Sequence, residues 1–450
     1  MPEATYHTVL PVSPETAFSW HARPGALQRL LTPWTRITIL EHIPAPGAPS
    51  IINDGGRISF RIAGVPWTWK ALHRDYHLNQ SFTDIQTSGP FKSWTHVHGF
   101  TPQENNSCQL SDHITYTHGF ATSLASGSVA QELTRQFAFR HQRTRWDLRR
   151  HTEAHLAPQT IAITGANGLV GSALVPFLTT GGHTVRRIGR RQADIIWNPS
   201  SNHMDPAAFA GVDAVVHLAG ESVAQRWTPA AKVRIRESRI GSTALIARTL
   251  AALPNPPRTL IIASGIGYAE TGTQHELCDE SAPLGQDFLA QVCKEWEAAA
   301  EPARQRGIRV VHVRIGMVIS AAGGALAKML LPFRLGLGGR VGSGQQWQSW
   351  IHRDDLVDVI HRALSDESLS GVINAVSPNP VRQCEFAKIL GRAVRRPALM
   401  PLPAFAVRLL FGEMGQTLLL HGARVHPGRL LATNHQWRYP TLPAALEFEV

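Results

Sequence analysis

Residues 161–178, IAITGANGLVGSALVPFL, set an apolar run directly against Gly165, Gly168 and Gly171 and continue into a helical pattern. Glycines at that spacing between a strand and a helix suit a dinucleotide. Gly165 permits a tight turn, Gly168 lets the backbone approach a pyrophosphate, and Gly171 lets helix and strand pack closely. The helix N-terminus then offers amides and a positive dipole end to the phosphates. The following strand, HTVRRIGRR, ends in Gly189, Arg190 and Arg191. An acid near that strand end would bond a ribose 2′-hydroxyl, whereas arginines bind a 2′-phosphate, so NADP(H) is the expected cofactor.

The elements that must position these residues follow from the apolar pattern. From Thr160 onward strand and helix alternate: TIAITG, a helix over Leu169 to Thr180, HTVRRIG, DAVVHLAG, a helix over Ser242 to Leu253, TLIIASG, a helix over Leu289 to Arg306, and IRVVHVRIG. Such alternation predicts a Rossmann-type α/β fold, a doubly wound parallel sheet with right-handed crossovers. Before residue 156 the grammar differs. RISFRI, WTWKALHRDY, SFTDIQTSG, SWTHVHGF and CQLSDHITYTH recur at hairpin spacing and predict an antiparallel sheet, followed by a helix over Ala130 to His151. AHLAPQ, residues 154–159, reads as a linker. The expected domains are therefore 1–153, 160–387 and a small, basic, mainly helical 388–450.

Forty-four Lys plus Arg against 33 Asp plus Glu give a formal charge of +11. The excess is spread along the chain without a dense basic tract, so a solvated basic surface is expected and no nucleic-acid partner. No stretch reaches the roughly 18 uninterrupted apolar residues of a membrane helix, so no membrane span is expected. Cys108, Cys278, Cys293 and Cys384 are far apart and form no CxxC pair, which encodes neither a disulfide framework nor a zinc ribbon and fits a reducing cytoplasm.

TGANGLVG, DAVVHLAG, Ser264 four residues before Tyr268, VRIG at 313–316 and WIHRDDL at 350–356 resemble the extended short-chain dehydrogenase/reductase superfamily, on its nucleotide-sugar epimerase side. RWTPAAKVRIRESRIGST, CKEWEAAA and MLLPFRLGLGGRVGSG narrow the resemblance to an atypical "epimerase family protein" branch, whose members carry a small C-terminal domain of unknown function. The likeness spans about residues 160–447. In some bacterial members an N-terminal domain similar to the START-like helix-grip superfamily, which includes polyketide cyclases, precedes it. The resemblance implies a pyrophosphate over Gly165, Asn167, Gly168, Leu169 and Val170 and a 2′-phosphate by Gly189 and Arg190. It also implies a pocket completed by Leu218, Ala219, Arg239 and Val318.

Reductases of this superfamily use a Tyr-x-x-x-Lys pair on one helix face: the lysine lowers the tyrosine pKa and bonds the nicotinamide ribose, the tyrosine passes the proton, and a Ser or Thr polarises the carbonyl. The resemblance gives Lys294 the place of the lysine and Ser264 that of the hydroxyl. Ala290 stands where the tyrosine belongs. Tyr268 is one substitute, Glu295 or Glu221 another, and loss of the chemistry with retained NADP(H) binding a third. The arginine that meets the substrate pyrophosphate in nucleotide-sugar epimerases has Gln348 in its place, and a neutral amide does not replace a bidentate guanidinium.

Twenty-two histidines include His73-x3-His77, His96-x-His98 and His151-x3-His155. With no acid or cysteine suitably placed beside them in sequence, no metal site is expected. Trp67, Trp69, Trp94, Phe60 and Phe82 either line a cavity of the N-terminal domain or pack its sheet. The resulting expectation is an NADP(H)-dependent oxidoreductase acting on a small or lipophilic ligand that the N-terminal domain holds or presents. The alternative is a noncatalytic NADP(H)-binding redox sensor.

Overall fold

The structure, a computed structural model, describes residues 2–64, 67–123, 126–269 and 277–450. Two compact units emerge: Met1–Pro158 with Pro176–His183, and Gln159–Val175 with Thr184–Val450.

In the first unit β1 (Glu3–Leu10) leads into α1 (Pro14–Ala22) and α2 (Ala26–Leu30). β2 (Ile37–Ile43), β3 (Arg57–Ile62), β4 (Thr68–His77), β5 (Ser81–Ser88), β6 (Phe91–Gln103) and β7 (Ser107–His118) follow, then α3 (Phe120–Ser123) and α4 (Ser126–Glu153). The sheet runs β1-β7-β6-β5-β4-β3-β2, an antiparallel meander whose last strand pairs with the first. Alternation decides which face is inner: every second residue of β7 from Cys108 to Tyr116 is buried. Leu133 and Phe137 of α4 meet Trp94, Ile114 and Tyr116 of the sheet, and Tyr6 stacks on Phe137 at 4.7 Å. Phe82 and Trp94 are buried, and Trp69 packs partly buried with Phe60 stacked on it at 5.7 Å. Trp67 departs from expectation. It precedes the first paired residue of β4 and is 43% exposed.

The second unit contains β8 (Thr160–Thr164), the part of α5 (Gly171–Thr180) up to Val175, β9 (Thr184–Gly189), β10 (Ile195–Asn198), β11 (His203–Met204), β12 (Ala214–His217), α6 (Pro229–Ala251), β13 (Thr259–Gly265) and β14 (Leu277–Cys278). Next come α7 (Phe288–Ala298), α8 (Glu301–Gln305), β15 (Arg309–Ile315), β16 (Met317–Ile319), α9 (Gly324–Arg334), β17 (Trp347–Gln348), β18 (Trp350–His352), α10 (Arg353–Ser365), β19 (Gly371–Ala375), β20 (Val381–Arg382), α11 (Gln383–Ala393) and α12 (Ala404–Gly415). The large sheet has the order β11-β10-β9-β8-β12-β13-β15-β19. All its pairs are parallel except β10 with β11, so the wholly parallel sheet read from sequence gains an antiparallel edge. The Asn198–Pro199 turn makes that edge, because Asn198 accepts the Ser200 amide and folds the chain straight back.

β13 is buried on both sides from Thr259 to Ser264, as a central parallel strand must be. α6 starts thirteen residues before the apolar pattern indicates, where the Thr228 hydroxyl accepts the Ala231 amide at 3.2 Å and Pro229 opens the first turn. The last residues are not loose: Tyr439, Leu442 and Leu446 share a buried cluster with Leu326, Trp350, Phe386 and Leu390. Among the described residues, no helix is long and apolar enough to cross a membrane.

A buried ion pair ties α2 to α4. Arg29 donates through Nε to Asp147 Oδ2 at 2.7 Å and through Nη2 to Oδ1 at 2.6 Å, with the two side chains 3% and 0% exposed. Removing one partner strands the other charge. Asp147→Ala is expected to lower the stability of the first unit by about 3–5 kcal/mol, read from urea denaturation followed by tryptophan fluorescence. A loss below about 1 kcal/mol would show that the pair is dispensable.

Candidate functional site

The chain leaves β8 for β9 on one side and later returns to β12 on the other, so β8 and β12 flank a crevice at their carboxyl ends. Gly165 closes β8 with φ +67°, and a Cβ there would lie 2.9 Å from Leu218 C and 3.0 Å from Ala219 N. A Cβ on Gly171 would sit 2.2 Å from the Gly165 carbonyl. Side chains are sterically excluded at both positions. Gly168 differs: its Cβ position meets only the Gly165 carbonyl, at 3.1 Å, and otherwise faces open space. The Gly168 amide donates to that same carbonyl at 2.9 Å and holds the turn closed. Asn167 and Gly168 are exposed, and Leu169 and Val170 half-buried, between β8 and the helix N-terminus. The methyls of Leu169 come within 3.3 and 3.0 Å of where Cβ atoms on Gly323 and Gly324 would lie, and the Val318 carbonyl is 3.8 Å from the latter.

Below this loop runs a chain of buried polar groups that no motif announces. Thr164 Oγ1 accepts the Leu218 and Ala219 amides, both at 3.1 Å, and hydrogen-bonds His217 Nδ1 at 2.7 Å. The other ring nitrogen of His217 is 3.0 Å from Ser242 Oγ on α6. Burial, then the nearby Arg239 charge, pushes His217 down to about 3. The ring is therefore neutral and bonds on both sides. Arg239 lies alongside, donating to the Ile235 carbonyl at 3.1 Å, stacked over Trp296 at 5.0 Å and 3.5 Å from the Cβ position of Gly220. At the end of β9, beside β8, Gly189 is followed by exposed Arg190 and Arg191. The nearest acid in sequence, Asp194, accepts the Arg187 amide at 2.7 Å.

The corner beside Ser264 departs further from expectation. Ser264 Oγ, at the end of β13, donates to Glu297 Oε1 at 2.9 Å. Arg314 holds the same carboxylate with Nε at 2.8 Å and Nη2 at 2.9 Å. Burial opposes the charge on Glu297, but Arg314 outweighs it and keeps the carboxyl below its usual range. The Arg314 guanidinium also lies 3.6 Å from the centre of the Tyr268 ring. Tyr268 is 1% exposed, its hydroxyl donates to the Asp279 carbonyl at 2.5 Å, and Asn374 Nδ2 donates to it at 3.2 Å. Burial raises its pKa.

Lys294 does not join this group. It is exposed on the outer side of α7, while Cys293, one residue earlier, is buried with Sγ 3.5 Å from the Gly265 carbonyl. The α7 face toward β13 is Leu289, Cys293 and Glu297, spaced by four. The resemblance puts the Tyr-x-x-x-Lys places at Ala290 and Lys294; here Ala290 is buried, Lys294 is exposed, and the side chains turned toward Ser264 and Gly265 are Glu297 and Cys293. Burial, then the charge of Glu297, pushes the Cys293 thiol up to about 11. Glu295 points away and pairs with Arg236, and Glu221 accepts Gln225 Nε2 at 3.1 Å.

The sequence pattern of the NAD dependent epimerase/dehydratase family matches residues 161–375, and that of a domain of unknown function, DUF1731, matches residues 402–449. Epimerase family protein Mb2239 of Mycobacterium bovis is 43% identical over 298 residues, which cover 65% of this chain and 98% of that protein. The chain belongs to the epimerase family. Among solved structures, the nucleoside-diphosphate sugar epimerase from Corynebacterium glutamicum is similar at 32% identity and a TM-score of 0.81, over 99% of this chain and 90% of that one. Human epimerase family protein SDR39U1, solved with NADPH, is similar at 35% identity and a TM-score of 0.58, over 64% and 98%. The Rossmann-like epimerase fold, with its mixed sheet, is thereby established for the second unit.

In this epimerase-family unit the DUF1731 segment brings Phe411, Met414 and Leu418 against Trp227, Phe288 and Leu289 in one apolar cluster. Gln348 sits in β17 opposite Val381, and the neighbouring Trp347 ring is flanked by the guanidinium groups of Arg382 at 3.9 Å and Arg424 at 4.9 Å.

Thr164→Val keeps the shape but leaves the Ala219 amide and an imidazole without their partner and the Leu218 amide with only the residue 164 carbonyl at 3.4 Å. The expected cost is about 2–4 kcal/mol of stability in urea denaturation, since each buried donor left unsatisfied costs about 1–3 kcal/mol. His217 adds a pH dependence. Its folded pKa is depressed, so on acidification from 6.5 toward about 3 the unfolded chain takes up a proton that the folded chain refuses, and stability falls across that window. A His217→Asn variant is expected to lose less stability between those limits than the parent. An identical slope would mean that His217 is not held neutral.

Proposed function

We propose that the protein binds NADP(H) across the glycine loop and acts as an atypical short-chain dehydrogenase/reductase on a small, weakly charged substrate. The observation that carries this reading is the loop itself: Gly165 and Gly171 are sterically obligatory, while the Cβ position of Gly168 opens outward, a cradle into which a pyrophosphate fits. Arg190 and Arg191 stand exposed where a 2′-phosphate would need them. Leu218, Ala219, Arg239 and Val318 complete the pocket on this reading. Bound there, the cofactor supplies a hydride.

The substrate side rests on the apolar cluster of Trp227, Phe288, Leu289, Phe411 and Met414, which favours an uncharged body over a sugar nucleotide. Ser264 acts by polarising an oxygen, held in orientation by Glu297 and Arg314. Tyr268 positions Arg314 and leaves proton transfer to other groups, because its hydroxyl is bonded to the Asp279 carbonyl and Asn374. Lys294, exposed on α7, has no catalytic part. Since Leu289 and Cys293 supply neither the tyrosine hydroxyl nor the ammonium, the proton comes from solvent or substrate, and rates on simple carbonyls are low. That same lack favours a second reading, a noncatalytic NADP(H) sensor.

The first unit is read as helix-grip-like, supported by the β1-α1-α2-β2 to β7-α4 order and the long helix against the sheet. Its inner face carries buried His73, His96, His98 and Asp112, which speaks against the lipophilic occupant expected from sequence.

NADPH is expected to bind more tightly than NADH in a fluorescence titration, with Arg190→Ala removing roughly 10- to 100-fold of the preference, the worth of one charge-assisted hydrogen bond. Equal affinities would end the NADP(H) assignment. In a carbonyl panel monitored by NADPH absorbance, the Leu289→Tyr/Cys293→Lys double variant is expected to gain reductase activity, whereas Ala290→Tyr gains none. Fast turnover by the parent, insensitive to Ser264→Ala, would remove Ser264 from the chemistry.

A further inference from the structure

The sequence places no acid next to His96 and His98, but the sheet does. Cross-strand pairing sets Asp84 of β5 opposite His96 of β6, His73 of β4 opposite Asp84, and His98 opposite Asp112 of β7, all on the inner face. Directly opposed residues in an antiparallel pair hold their Cβ atoms about 4.5–5.5 Å apart, so four strands deliver five potential ligands to one spot. His73, His96, His98 and Asp112 are each less than 10% exposed, and the Asp84 side chain, 22% exposed, marks the way in.

The ring nitrogens are sorted between the two carboxylates. His96 Nε2 and His98 Nδ1 are each 2.8 Å from Asp112 Oδ1, while His96 Nδ1 and His98 Nε2 turn the other way, 3.8 and 3.4 Å from Asp84 Oδ2. Ligand atoms of Asp84, His96 and His98 lie within 4.8 Å of one another, the one such group of three among the described residues. His141 Nε2 of α4 holds the second oxygen of Asp112 at 2.6 Å, and His73 Nδ1 lies 2.5 Å from Asp84 Oδ1, outside hydrogen-bond alignment. His73 Nε2, fully buried, has no hydrogen-bond partner at all. Metal-bound imidazoles characteristically give their second ring nitrogen to a carboxylate, the part Asp112 plays toward His96; His98 Nδ1, equally near Asp112 Oδ1, lies outside hydrogen-bond alignment. Burial disfavours charge on Asp84 and Asp112, but His73 beside the first and His141, His96 and His98 around the second hold both well below the usual carboxylate range.

We propose that Asp84, His96 and His98 bind one divalent first-row transition-metal ion, through one carboxylate and two imidazole nitrogens, with Asp112 orienting the His96 ring and lying against that of His98. Two imidazoles and a carboxylate suit zinc, iron, cobalt or nickel and leave coordination positions open to water or a small ligand. The proposal is independent of NADP(H) binding by the second unit. The competing arrangement is a proton-held network in which a His98 imidazolium bridges the two carboxylates with no metal affinity.

The test is to strip the full-length protein with a chelator, desalt it and titrate it with Co²⁺ in a non-chelating buffer. Visible d–d bands saturating at one ion per chain, and abolished by Zn²⁺, are expected. Asp84→Asn, nearly isosteric, and the His96→Ala/His98→Ala pair are expected to lose the bands, and Asp112→Asn to weaken binding roughly 10- to 100-fold. His113→Ala is the control, since His113 points to the opposite face and bonds Thr5 Oγ1 at 2.8 Å; it is expected to keep the bands. Circular dichroism verifies that each variant is folded. Absence of Co²⁺ bands and of Zn²⁺ binding in the parent, or bands that survive in folded Asp84→Asn, overturns the proposal.

Discussion

The second unit depends on one close approach, that of the Gly165 turn to the backbone of Leu218 and Ala219. Two parallel strands can end side by side at a ligand crevice only if no Cβ stands between them, which restricts position 165 to glycine. Steric permission alone does not fix the distance. The Thr164 hydroxyl does, by accepting both amides that follow β12, and neutral His217 passes the constraint to Ser242 on α6. Strand ends, loop and helix are thus held by one polar relay inside an otherwise apolar sheet, where each unmade hydrogen bond would be costly.

The Ser264 corner is built around one ion pair, Glu297 with Arg314. The α7 residues on this side are Leu289 and Cys293, and Phe411 and Met414 of the C-terminal segment join the apolar cluster around Leu289. Glu297, next on that face, would be an uncompensated buried charge without the bidentate grip of Arg314. Arg314 in turn rests on Tyr268. The ion pair, the aromatic ring and the serine form a single unit, so substitution at any one shifts the others.

Much of this was legible in the sequence. Local turn chemistry and strand patterning place the glycine loop, the arginines after β9 and the division between an antiparallel and a parallel half, because each rests on residues adjacent in the chain. The length of α6 was also written there, in the Thr228-Pro229 start.

Registers between distant segments were decided only by the tertiary structure. Nothing near residue 294 says which of two adjacent residues faces β13. Packing of Leu289 over Gly267 and the pairing of Ser264 with Glu297 choose Cys293 and turn Lys294 outward. His96 and His98 found their carboxylates in the same way: Asp84 is 12 residues before one and Asp112 is 14 after the other, distances that only strand pairing collapses. Sequence determined which residues could turn, bind phosphate or line a face, since those are properties of a few neighbouring dihedrals and side chains. Which charge meets which was left to the fold, because a contact across a sheet depends on hydrogen-bond register, and a one-residue slip would point every one of these side chains the other way.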